Sequence, residues 1–135
     1  MAIRVSHRKL CLVTVGACIA AWVALTALAG CSQGDSAVSN VPIQQQVALG
    51  AEAYMTSCAS CHGMKQQGVP RMGTALKGTW FVERQPADDL ATFIKRGRAA
   101  DGVGNQTGQP MPPRGGNPNL SDEQVEFIVA FLRYG

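Results

Sequence analysis

Four stretches hold most of the apolar residues of this chain, and they differ in rhythm. The first is continuous: Leu10 to Leu28 is 19 residues without a charge, after a basic start of Arg4, His7, Arg8 and Lys9. The other three are periodic. From Ile43 to Ser57, the residues Val47, Gly50, Ala51 and Tyr54 recur at helical spacing and predict a first helix. Gly50 weakens such a helix by about 1 kcal/mol relative to alanine, which is explained if another helix crosses closely there. Pro86 opens a second helix, with Asp88 and Asp89 in its first turn and Leu90, Phe93 and Ile94 on its apolar side. Lys95 and Arg96 occupy its last turn and Gly97 ends it. Ser121-Asp122-Glu123-Gln124 reads as a capping box for a last helix. Its Val125, Ile128, Val129 and Leu132 form one stripe, widened by Phe127, Phe131 and Tyr134. Residues 63–85 are broken by Gly63, Gly68, Pro70, Gly73 and Gly78. Arg98 to Leu120 is a long loop rich in Gly, Pro and Asn, a length that points to function or disorder. No strand-like alternation of useful length and no internal repeat is visible. The pattern predicts an all-α domain of three main helices over residues 43–135.

Residues 1–30 read as an export signal, with basic, apolar and small-residue regions in that order. Their end, Leu28-Ala29-Gly30 followed by Cys31, resembles the lipobox of bacterial lipoproteins. The resemblance covers these four residues. It implies cleavage before Cys31 and a diacylglyceryl anchor on the Cys31 thiol. Residues 31–42, including Ser32, Gln33, Gly34, Asp35 and Ser36, then serve as a flexible tether. The alternative is an uncleaved anchor helix, because about 20 apolar residues span a bilayer. Either version leaves the domain membrane-anchored in the cell envelope, on the periplasmic or other extracytoplasmic side.

Charge and cysteine content narrow the field. The formal net charge of +3 resides in Arg4, Arg8 and Lys9; from residue 32 onward nine Lys/Arg balance nine Asp/Glu. With no basic stripe, nucleic acid is excluded as a partner. Cys11 and Cys18 fall in the signal and Cys31 is the lipid candidate, which leaves Cys58 and Cys61 for chemistry.

Those two belong to Cys58-Ala59-Ser60-Cys61-His62, the Cys-x-x-Cys-His attachment pattern of a c-type haem. Two thiols three positions apart at the start of a helix can reach both vinyl groups of one porphyrin, and His62 is then held under the iron. A Cys58–Cys61 disulfide is the plainer alternative, since export favours oxidation. A structural zinc site usually takes four protein ligands, and only Cys58, Cys61 and His62 are at hand. One covalent haem c, with its iron, would also supply apolar mass that a domain this small lacks. His62 is the one histidine outside the signal, so the second axial ligand is sought among thioethers, which raise the reduction potential. Met55 lies on the wrong side of the motif. Met64 is too close to His62 to reach the opposite haem face. Met72, ten residues on and after Pro70, reads as a core residue near the haem edge. Met111 sits 49 residues after His62 in Gln109-Pro110-Met111-Pro112-Pro113, where three prolines stiffen the chain. Met111 is the candidate, against the plainer reading of a loop residue packed on something apolar.

From about Val47 to Tyr134 the chain resembles a class I monohaem cytochrome c. The features that carry the resemblance are Gly50 and Tyr54, Cys58 to His62 followed by Gly63, then Pro70. The loop Met111-Pro112-Pro113-Arg114-Gly115-Gly116 and the final helix with Phe131 complete it. The resemblance implies a small cytochrome c fold, with the first and last helices crossing near the glycine and aromatic positions. It implies Met111 as sixth ligand, and the Pro70 carbonyl as the group that orients His62 through Nδ1. The segment from Trp80 to Gly108 has no transferable counterpart; Trp80, Arg96 or Arg98 is a candidate contact for a haem propionate.

The function expected is electron transfer rather than catalysis. With His62 and Met111 both bound, the iron offers no free site for a substrate, and no catalytic triad, paired acid/base or nucleotide loop is present. A tethered one-haem domain would pass single electrons between respiratory or photosynthetic membrane partners, free or as a subunit of a complex. Two other classes stay open: haem-based gas binding with a displaceable Met111, and a haem-free lipoprotein.

Overall fold

The computed structural model describes residues 40–135. The expected signal peptide 1–30 and the lipid anchor Cys31 lie outside the described residues. Helix α1, Ile43–Ser57, is followed by one helical turn, α2, Ala59–His62. A short helix α3, Trp80–Arg84, precedes α4, Ala87–Arg96; a 3-10 turn spans Pro113–Gly116, and α5, Asp122–Tyr134, closes the chain. Among the described residues there is no strand, only two isolated antiparallel bridges, Val69 with Gly73 and Arg98 with Met111. No described helix is long and apolar enough to cross a membrane.

The long helices α1, α4 and α5 fall where periodicity placed them. Ser121 caps α5 as expected: its hydroxyl accepts from the Gln124 N–H at 3.1 Å, and the Gln124 side chain accepts from the Ser121 N–H at 2.9 Å. Val125, Ile128, Val129 and Leu132 are buried, and Phe127 joins them. Tyr134 departs from the stripe and is 67% exposed, although Leu132 in the same final turn is buried. α3 was not expected. Thr79 starts it by accepting from the Val82 N–H at 3.5 Å, and Val82 is nearly inaccessible at 1%.

α1 crosses α5 where Gly50 lies. A Cβ at Gly50 would collide with the Phe127 carbonyl and crowd the Phe131 side chain. The glycine therefore permits backbone-to-backbone contact. One turn on, the fully buried Tyr54 ring packs against Phe131 with centroids 5.2 Å apart. Leu90, Ala91 and Ile94 of α4 complete the core against α5. Arg133 of α5 donates to the Gln85 carbonyl and fixes the junction of α3 with α4. One side of this core is open to the residues that follow α1.

Candidate functional site

The end of α1 leads directly into Cys58. Its N–H donates to the Tyr54 carbonyl at 2.8 Å, and the Cys58 carbonyl accepts from Cys61 at 3.1 Å and His62 at 3.0 Å. Cys58 and Cys61 are thereby one turn apart, neighbours on the same side of a helical turn. Both thiols are free, and both side chains are half-buried. Burial, and secondarily the neighbouring Cys61, pushes the Cys58 thiol up to about 11. The Tyr54 hydroxyl donates to the Gly63 carbonyl at 2.7 Å. Burial, with a smaller contribution from Cys58, pushes that phenol up to about 12. The motif is thus tied at its start by the α1 backbone and at its end by a core tyrosine.

His62 Nδ1 lies 2.8 Å from the Thr74 carbonyl. This corrects the assignment of that role to Pro70. Val69 and Gly73 exchange both backbone hydrogen bonds, at 2.9 and 3.1 Å, across a tight turn with Arg71 at φ 61. Pro70 stands at the exposed corner of the turn, and the returning segment 73–76 brings Thr74 under the imidazole. The carbonyl fixes the tautomer with the proton on Nδ1 and leaves Nε2 as the donor nitrogen.

Met111 reaches the site from the other end of the chain. Arg98 and Met111 exchange backbone N–H···O bonds, each 2.8 Å. Gly97, at φ +74, ends α4; a Cβ there would collide with the Met111 carbonyl, so the glycine serves both the helix end and the close approach. Met111 is half-buried and packs on the core. Of the other methionines, Met55 and Met64 are exposed; Met72, expected in the core, is 50% exposed and sits at the edge of the site instead.

Cys58, Cys61, His62 and Met111 line one cavity of about 520 Å³, within the range of cofactor sites. Its walls are mainly apolar, with Leu76, Phe81, Val82, Leu90, Ile94 and Ile128 prominent. An apolar chamber with two adjacent thiols, an imidazole whose Nδ1 is already engaged and a thioether fits an iron porphyrin. Among the described residues, no three His, Cys, Asp or Glu side chains converge as a metal site, which gives zinc no support. A more open groove of about 910 Å³ flanks the Met111 loop but lacks Cys58, Cys61 and His62. Of the candidate propionate contacts, Trp80 is 69% exposed and lines the cavity, as does Arg98; Arg96 lines the groove instead. The Arg98 guanidinium stacks over Phe93 at 4.6 Å and Phe81 at 5.5 Å.

The family model for cytochrome c matches residues 47–135, and the chain belongs to that family. It is 38% identical over 98 residues to cytochrome c-555 of Prosthecochloris aestuarii, covering 71% of this chain and 95% of that one. Cytochrome c-555 of Chlorobaculum thiosulfatiphilum is 32% identical over 85 residues, 63% of this chain and 91% of its own. The cytochrome c subunit of a quinone alcohol dehydrogenase from Gluconobacter oxydans is 31% identical over 86 residues, 64% of this chain but 18% of that subunit. No solved structure matches significantly. The protein is a class I c-type cytochrome with a covalently bound haem c, an electron-transfer protein of small all-α fold.

Proposed function

We propose that Cys58 and Cys61 are the two thioether attachment points, and that His62 Nε2 and Met111 Sδ are the axial donors to the iron. The haem supplies a one-electron couple. The chain orients the imidazole through Thr74, keeps water from the cavity with its apolar walls, and raises the potential by offering a thioether. The observation that carries this reading is that Met111, half-buried and packed on the core, lines the same cavity as Cys58, Cys61 and His62, while His62 Nδ1 lies 2.8 Å from the Thr74 carbonyl. Residues 1–30 are a lipoprotein signal peptide and Cys31 carries the lipid. The domain is tethered in the periplasm, where it passes single electrons between membrane redox complexes as a shuttle or as a fixed subunit. The likeness to a subunit of a quinone alcohol dehydrogenase supports redox protein partners.

Intact mass of the mature protein tests attachment, lipidation and cleavage in one measurement: haem and diacylglyceryl on a chain beginning at Cys31. The long-wavelength absorption band of Met-bound iron(III) tests the second ligand. It is expected in the wild type and lost in Met111→Ala. Its absence from the wild type, with rapid carbon monoxide binding on reduction, would favour gas binding instead.

A further inference from the structure

The segment that delivers Met111 has no helix to hold it, yet it is closely built. Arg98 and Met111 close it as a loop through their paired backbone bonds. Inside, the Asn105 amide works in two halves. Its Nδ2 donates to the Ala99 carbonyl at 3.0 Å and to the Gln109 carbonyl at 2.7 Å, one on each stem of the loop. Its Oδ1 accepts from the Thr107 N–H at 3.0 Å and the Gly108 N–H at 2.9 Å, shaping the tip. Arg98 adds a third tie. Its Nη1 donates to the Gly104 carbonyl at 2.6 Å while the guanidinium lies over the Phe93 and Phe81 rings. One side chain thus joins the two stems, and another fastens the tip to the aromatic wall of the cavity.

We propose that Asn105 and Arg98 are positioning residues for the Met111 thioether, holding loop 98–111 closed so that the sulfur stays at the iron. This rests on reading Met111 as the axial ligand. Breaking the stem-to-stem bonds frees Gln109, two residues before Met111, without touching the helical core. The loop then opens locally at a lower free energy than global unfolding requires.

The test uses the holoprotein and four variants: Asn105→Ala, Asn105→Asp, Arg98→Lys, and Asp101→Asn as a control at an exposed site on the same loop that does not line the cavity. Asn105→Asp keeps the acceptor that shapes the tip but sets an oxygen against the Ala99 and Gln109 carbonyls. Arg98→Lys keeps the charge and loses the planar stacking fork. Two temperatures are measured in the oxidised protein, that at which the Met–iron(III) band is lost and that at which helical circular dichroism is lost. Carbon monoxide association is measured in the reduced protein. In both Asn105 variants and in Arg98→Lys, the band is expected to disappear well before the helices melt, with carbon monoxide binding about tenfold faster. Asp101→Asn should behave as wild type. The inference is overturned if the wild type shows the band and it survives to global unfolding in Asn105→Asp and Arg98→Lys. A wild type with no band overturns the Met111 reading itself, and the inference with it. Arg98→Lys leaves the Asn105 bonds in place and decides the matter should the Asn105 variants not accumulate.

Discussion

Arg114 is a non-glycine residue at φ 54, three residues past Met111. Hydrogen bonds and charge hold it there. Its Nη1 donates to the Leu120 carbonyl at 2.7 Å, and its Nη2 meets Asp122 at 2.5 Å. Lys95 of α4 reaches the other oxygen of the same carboxylate at 3.2 Å. The Arg114 guanidinium, then Lys95, holds the Asp122 carboxyl below its ordinary 3.8. A depressed folded-state value stabilises above the unfolded value and is lost as pH falls through the folded one. Acid should therefore weaken the wild type more steeply than Asp122→Asn. In denaturant titrations the gap between their midpoints should be open at neutral pH and narrow as pH falls below the ordinary 3.8 toward the depressed folded-state value; a constant gap would show that the carboxylate charge is irrelevant. Tyr54 gives the opposite arm. Its value is raised from 10.0 to about 12 by burial, so its contribution is complete below 10 and is lost as pH rises toward 12. Tyr54→Phe leaves the Gly63 carbonyl without its donor and should cost about 1–3 kcal/mol at neutral pH. The variant should also lack the part of the alkaline decline in stability that Tyr54 contributes, as read by urea melts across that range.

At the scale of helices, the crossing of α1 and α5 sets the frame on which the cysteine motif hangs. Alanine at Gly50 improves intrinsic helix propensity by about 1 kcal/mol. It also drives a methyl group into the Phe127 carbonyl, a backbone atom that cannot rotate away. The clash should win, with Gly50→Ala less stable by about 1–3 kcal/mol; a stabilised variant would show that the helices can separate at little cost. This crossing was legible in the sequence because a glycine in a helical stripe and the aromatic positions opposite it are both side-chain facts. So were the long helices, marked by Pro86, Gly97 and the Ser121 box. α3 was not legible: at five residues it is too short for a helical period, and the glycines around it read as loop. The Thr74 contact was not legible either, because a carbonyl is common to every residue and its placement depends on a turn closed by Val69 and Gly73. Asn105 stood in plain sight, but apart from the Thr107 hydroxyl its partners are backbone groups, which a sequence does not distinguish.

For the whole molecule, the balance of charge bears on how it meets a partner. From residue 32 onward the charges cancel, nine against nine. Around the cavity they are nearly absent: Arg98 is the one Lys, Arg, Asp or Glu among its lining residues, and Arg98 is already engaged by Gly104 and two aromatic rings. The exposed residues at its edge, such as Met72, Ala75, Val103, Gln106 and Gln109, are apolar or neutral. With the haem in this cavity as proposed, electrons pass through this face, and encounter there has little field to steer it. Electron self-exchange between oxidised and reduced copies isolates the effect, because a charged docking face would repel its own twin and the rate would climb steeply with screening. Here the rate, followed by NMR line broadening, should change by less than about threefold between low salt and roughly 0.5 M. A tenfold rise would mean that charges beyond the cavity edge govern the approach. Removing charge from the cavity edge itself would then leave the salt dependence intact, whereas neutralising Lys77 or Arg71, on the segment that follows His62, would flatten it.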